Sequence, residues 1–140
     1  MKILIAADGS SYTKRMLAYL AAHDEWLGPA HAYTVLTVTA PLPPRAVAVL
    51  DKELVKSYQA EEAEKVFKPI RAFFGKRGMQ AEFVAKTGHA AEVIAKLADS
   101  GRHDLLVMGS HGHSALGTLV MGSVTNKVLA QCRTPVLLVR

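Results

Sequence analysis

The apolar positions of this chain switch repeatedly between short continuous or alternating runs and a spacing near 3.6, and that switching predicts strands and helices in succession. Ile3 to Ala7 is an apolar run ending at Asp8-Gly9-Ser10-Ser11, where a carboxylate, a flexible residue and two hydroxyls mark a helix start. A helix is predicted from about Ser11 to His23, with Met16, Leu17 and Leu20 on its apolar stripe. Gly28-Pro29 closes the connection, and Tyr33 to Thr39, rich in β-branched residues, predicts a second strand.

Pro41, Pro43 and Pro44 cannot donate to a ladder, so Ala40 to Pro44 is expected to be an irregular crossing. A long helical region follows. Val47, Leu50, Leu54 and Tyr58 share one face, and Val66, Ile70 and Phe73 resume it beyond Glu61, Glu62 and Glu64. Pro69 removes a helical hydrogen bond and predicts a kink or a break near Val66. Beyond Gly75 and Gly78, Ala81, Phe83 and Ala85 alternate with Glu82, Val84 and Lys86, as in a strand at or near a sheet edge. His89 to Ser100 predicts a helix with Val93, Ile94 and Leu97 buried and Gly101 as its stop.

Asp104-Leu105-Leu106-Val107-Met108 is a compact apolar run led by an acid, the pattern of a strand buried on both faces of a parallel sheet. Val124, Val128, Leu129 and Cys132 then recur at helical spacing, Thr134-Pro135 breaks the chain, and Val136 to Val139 forms a closing strand. Strands alternating with helices imply right-handed crossovers and a parallel sheet covered on both faces. The fold class is α/β, doubly wound and Rossmann-like, in which ligands bind beyond the carboxyl ends of strands where strand order reverses.

Candidate chemistry concentrates between Gly109 and Thr125, where the predicted buried strand gives way to the last helix. A helix N-terminus leaves amides without intrahelical partners and a partial positive charge, a place for an anion. Gly109 and Gly112 remove side chains that would keep a ligand from the backbone, Gly122 loosens the approach, and Ser123 is expected as the N-cap. The hydroxyls of Ser123 and Thr125 add neutral donors there.

The spacing Gly109-x2-Gly112-x9-Gly122-Ser123 resembles the nucleotide-binding signature of the universal stress protein family, in its ATP-binding branch. The resemblance extends over essentially the whole chain, through Met1 to Gly9, Asp104 to Gly112, Gly122-Ser123-Val124-Thr125 and the last strand. It implies one domain over residues 1–140, a five-stranded sheet of order 3-2-1-4-5, and a homodimer pairing through Val136 to Val139. It further implies that Asp8 meets the ribose or adenine side, with Ala7 beside it and Val38 packed on the base. Met108, Gly109, His111 and Gly112 would floor the ribose and phosphates, while Gly122, Ser123, Val124 and Thr125 hold the phosphate chain. Mg2+ or Mn2+ would arrive bridging the phosphates of ATP, or of AMP or ADP, with few protein ligands.

Composition narrows this picture. With 50% hydrophobic and 21% charged residues, evenly interspersed, the chain of 140 residues reads as a single soluble globular domain. Net charge is +5, which favours an anionic ligand without naming one, and an aromatic content of 6% argues against a nucleic-acid surface with interleaved stacking residues. The first apolar run is too short for a secretory signal and no segment is long enough to span a bilayer, so a cytoplasmic location is expected. Cys132 is the only cysteine, which rules out an internal disulfide.

Several residues have plainer explanations. Asp8 fits a helix-start turn, Ser123 is a cap with or without ligand, and Gly109 and Gly112 suit a tight turn. His111 and His113 share a loop but lack an evident third metal ligand. His113 is placed either near phosphate or in solvent. Lys65, Lys68, Arg71, Lys76 and Arg77 read as a solvated helix face, and Cys132 as a small core residue. No catalytic set is visible, and no Gly-Lys-Ser/Thr ending places a lysine on a terminal phosphate. The first reading is therefore an ATP-binding, nucleotide-responsive stress-response module with at most slow ATP hydrolysis. A nucleotide-independent interaction protein recruiting an unknown protein partner, and an enzyme consuming bound nucleotide, remain open alternatives.

Overall fold

A strand covered on both faces must be apolar at every central position, and β1 (Lys2–Ala6) obeys this: Ile3, Leu4 and Ile5 have no exposed surface. In the computed structural model, which describes residues 1–113 and 121–140, β1 lies mid-sheet between β2 (Ala32–Thr39) and β4 (Leu105–Gly109). β3 (Ala81–Thr87) and β5 (Val136–Val139) form the edges, giving the order β3-β2-β1-β4-β5 with every pairing parallel. In register, Ala6 stands opposite Leu36 on one side and Met108 on the other.

The side-chain period of two sends β1 residues to opposite faces. Ile3 and Ile5 pack against α1 (Ser11–Ala22) and α4 (Lys52–Lys76) through Met16, Leu20, Phe67, Ile70 and Phe74. Leu4 faces α5 (Ala90–Ser100) and α6 (Ser123–Gln131) through Ile94, Ala98 and Val128. At about 25 cal/mol per Å² of apolar surface removed from water, these two layers supply the main drive for folding.

The helices bring corrections. α4 runs unbroken through Pro69, so of the kink or break expected near Val66 the break does not occur. Pro69 lies on the solvent face, where the carbonyl it deprives of a partner is open to water, while Phe67, Ile70 and Phe74 anchor both halves on the sheet. The interruption lies earlier. α3 (Pro44–Val49) ends before Asp51, whose side chain accepts from the Glu53 amide and caps α4. The stripe Val47, Leu50, Leu54 and Tyr58, expected to continue the buried face, is exposed by 42 to 59%.

A short helix, α2 (Asp24–Leu27), precedes β2 where only a connection was expected. On α5 the fully buried residues are Ala91, Ile94, Ala95 and Ala98, with Val93 and Leu97 only partly covered. On α6, Val128 and Thr125 are buried while Val124 and Leu129 are exposed. Cys132 is half-buried at the end of α6. No helix of the described residues is long and apolar enough to cross a membrane.

Candidate functional site

β1 and β4 are the neighbours from which the chain winds outward in opposite directions, and a crevice opens beyond their carboxyl ends. A cavity of about 270 Å³ occupies it. Its apolar walls come from Ala6, Leu36, Val38, Met108 and the α5 residues Ala90 and Ile94. Its polar end is formed by Asp8, by Gly109, His111, Gly112 and His113 after β4, and by Gly122 to Thr125 at the start of α6. All the sequence-expected site residues, Ala7 included, line this one cavity. The middle of the stretch between Gly109 and Thr125, residues 114–120, lies outside the described residues.

Sequence reasoning omitted Ala6, Leu36, Ala90 and Ile94, and did not place His113. The signal for Leu36 was present in its alternation with Val38, two residues on along the same face of β2. Ala90 and Ile94 are one helical turn apart and so share a face of α5.

The turn after β1 is self-supporting. Asp8 Oδ1 accepts from the Ser10 amide at 2.9 Å and from Thr13 Oγ1 at 3.2 Å, and Thr13 Oγ1 in turn accepts from the amides of Asp8 and Gly9. Gly9 takes the left-handed conformation, with φ of +77°, that lets the chain turn there. Asp8 therefore braces the turn before α1 and lines the cavity at once: its Oδ1 holds the turn, and its Oδ2 lies against Gly112. Ser10 occupies the N-cap position of α1, but its buried hydroxyl has no hydrogen-bond partner among the described residues.

Two glycines are explained by close approach across the crevice. A Cβ on Gly112 would stand 2.7 Å from Asp8 Oδ2, and one on Gly122 would stand 3.3 Å from the Cα of His111. Gly109 differs from expectation, because a Cβ there would meet Tyr12 Cβ at 2.7 Å, so it admits a residue of α1.

The start of α6 also departs from the sequence reading. Gly122, not Ser123, is the N-cap; its carbonyl takes the first intrahelical bond from Asn126, and its amide donates to the Ser110 carbonyl at 2.8 Å. Ser123 is the first helical residue and is exposed at the mouth of the cavity. Thr125 donates its hydroxyl to the carbonyls of Gly109 and Ser110, each at 3.1 Å, so that hydrogen fastens α6 to β4 instead of facing a ligand. The amides of Ser123, Val124 and Thr125 precede the first intrahelical bond and give this end its partial positive charge.

Histidines complete the rim. His111 Nδ1 lies 2.9 Å from Ser110 Oγ, and its ring tilts on Tyr12 with centroids 5.0 Å apart. His113 Nε2 donates to the Asp8 carbonyl at 2.6 Å, joining the β4 loop to the β1 turn across the crevice. Among the described residues no group of three or more His, Cys, Asp or Glu is arranged to hold a metal ion.

Comparison with known proteins follows this geometry. A family model described as the universal stress protein family matches residues 1–140. A universal stress protein of Thermus aquaticus is 37% identical over 140 residues, covering 99% of this chain and 97% of that one. One of Synechocystis is 35% identical over 140 residues and again covers 99% of this chain, which spans only 42% of that protein's length. Among solved structures, the protein MJ0577, named for Methanocaldococcus jannaschii among the relatives, superposes with a TM-score of 0.82 at 27% identity, covering 99% of this chain and 94% of that one. An Arabidopsis thaliana family member solved with AMP bound has a TM-score of 0.69 at 18% identity, with 99% and 90% coverage. A universal stress protein solved in complex with cAMP has a TM-score of 0.64 at 22% identity, with 100% and 96% coverage.

Proposed function

The chain belongs to the universal stress protein family, and from that premise we propose that its crevice binds an adenine nucleotide, ATP first among the candidates, in a stress-response module that responds to nucleotide occupancy. One observation carries the reading: an apolar compartment and a glycine-lined helix N-terminus open into a single cavity at the switch point of the sheet. A purine needs the first and a phosphate chain the second. Adenine compounds bound to relatives of the same fold support it.

In this reading the base packs between Val38 and the α5 side, and Ala7 and Asp8 border the ribose. Met108, Gly109, His111 and Gly112 floor the ribose and first phosphates. Gly122, Ser123, Val124 and Thr125 hold the phosphate chain, Thr125 by its amide. The donor set suits a phosphate, since the amides of Ser123, Val124 and Thr125 precede the first intrahelical bond of α6 and these residues line the cavity. Asp8 is the one carboxylate among the described residues of the lining, so Mg2+ or Mn2+ entering with the nucleotide would take its ligands from phosphate oxygens and water. Among the described residues the lining also has no lysine to reach a terminal phosphate, which favours binding with at most slow hydrolysis.

Homodimerisation through β5 belongs to the same proposal. Among the described residues β5 pairs only with β4, which leaves its outer backbone groups to meet a second copy; a monomer at every concentration in sedimentation would remove this part. Cytoplasmic residence is proposed with it. Calorimetric titration with ATP and Mg2+ tests the binding itself. Saturable heat is expected, together with stabilisation of about 2.7 kcal/mol at roughly 100 times the Kd, and Gly122→Leu should abolish both. No heat and no thermal shift at millimolar ligand would exclude nucleotide binding.

A further inference from the structure

The cavity has an unusual charge balance for a phosphate site. Among the described residues none that lines it is a lysine or arginine, and the one fixed charge is the negative Asp8. Residues 114–120 read Ser-Ala-Leu-Gly-Thr-Leu-Val and add no cation, so from Gly109 the first one along the chain is Lys127. Helix amides offset a phosphate only in part, because the α6 terminus amounts to roughly half an elementary charge. A polyanion there also faces the Asp8 carboxylate. The groups able to supply positive charge from the lining are two imidazoles, His111 and His113.

Of these, His113 is held in a way that assigns its two nitrogens different tasks. Its Nε2 is 2.6 Å from the Asp8 carbonyl, an acceptor only, so Nε2 carries a hydrogen in either protonation state. Nδ1 is therefore an acceptor when the ring is neutral and an N–H donor when it is cationic. Gaining the proton keeps the bond to Asp8 and turns the other edge of the ring from repelling a phosphate oxygen to attracting one. Resting on the proposed nucleotide site, we infer that His113 is its titratable phosphate contact, so that the cleft grips phosphorylated adenine compounds more tightly as pH falls while adenosine gains nothing.

The surrounding groups leave His113 this role. The turn after β1 contributes the Asp8 carboxylate, whose Oδ2 lies against Gly112. α1 contributes Tyr12, occupied with the His111 ring and with Arg15, whose guanidinium carbon is 4.7 Å from the Tyr12 centroid. α6 contributes no charge to the lining. Imidazole changes charge between about pH 5 and 8, and a bond to the charged ring is roughly twice as strong as a neutral one.

The test measures Kd for ATP, AMP and adenosine with wild type and His113→Gln from about pH 5.5 to 8.5. Gln keeps an N–H for the Asp8 carbonyl but has no charge to gain. The ratio of the two Kd values at each pH removes the part of the nucleotide and His111 titration that both proteins share. For ATP the ratio should be about tenfold, or about 1.4 kcal/mol, at the acid end and close to one at the alkaline end; for adenosine it should stay near one throughout. His113→Lys, charged at every pH tested, should bind ATP more tightly than His113→Gln over the whole range, including the alkaline end where wild type and His113→Gln converge. Melting temperatures of both variants without ligand verify folding. A ratio for ATP that is flat with pH, or one equally large for adenosine, overturns the inference. A wild type that binds none of the three overturns the nucleotide site itself.

Discussion

Single residues in this chain often do more than one job, and the second job decides what substitution costs. Asp8 braces its own turn through Oδ1 while Oδ2 faces the crevice, so removing it weakens the start of α1 and alters the cavity together. Tyr33, 4% exposed, donates its hydroxyl toward the carbonyls of Leu27 and Gly28, and burial pushes its acid dissociation up to about 12 from 10.0. The folded chain resists ionising Tyr33 while the unfolded chain does not, so this part of the stability is complete below pH 10 and lost between 10 and about 12. Tyr33→Phe should cost about 1 to 3 kcal/mol near neutrality. The gap from wild type in urea unfolding should shrink as pH rises through that window; a gap constant with pH would show that the buried hydroxyl does not govern it. At this scale the sequence made the glycines and Asp8 legible because their chemistry is local. It misassigned Ser123, since the N-cap falls one residue earlier at Gly122, and it could not show Thr125 spending its hydroxyl on the carbonyls of Gly109 and Ser110, sixteen and fifteen residues away.

Among the elements, α4 separates periodicity from burial. Apolar residues at helical spacing occur in both its halves, yet the buried ones, Ala63, Phe67, Ile70 and Phe74, all lie from Ala63 onward. Periodicity states that residues share a face; the length of the sheet beneath decides how much of that face is covered. Ile70→Ala should therefore cost about 2 to 5 kcal/mol, whereas Leu54→Ala, at a position 59% exposed, should stay within about 0.5 kcal/mol. Equal losses in chemical denaturation would place the N-terminal part of α4 in the core and contradict this account. The Asp99 carboxylate makes a comparable link between α5 and the turn into β5, accepting from the amides of Arg133 and Thr134 and the Thr134 hydroxyl. Those donors, the Thr134 hydroxyl foremost, hold Asp99 below its usual 3.8. The stability it adds is full above that value and lost as pH falls below it.

For the whole molecule, the alternation of strands and helices was enough for the fold class, because parallel strands require crossovers and helices on both faces bury the sheet. Strand order entered through the family resemblance and is the order found. That order brings the ends of β1 and β4, about a hundred residues apart in sequence, to one crevice, and it explains how Asp8 comes to lie against Gly112. The glycines, Ser123 and Thr125 stand out by their own chemistry and the resemblance added the rest of the expected site residues, all of which line one cavity; period could pair Leu36 with Val38 and Ala90 with Ile94, but only the strand order brings those pairs to the same crevice. The central claim is that phosphate is received by backbone amides at this crossing. Amide chemical-shift mapping with ATP and Mg2+ tests it most directly. The account predicts saturable shifts largest at Gly112, Gly122, Ser123 and Val124, with smaller ones along Leu36 and Val38 and none at the distant Gly75 and Gly78. Shifts that saturate elsewhere and leave Gly122 to Val124 unmoved would contradict it.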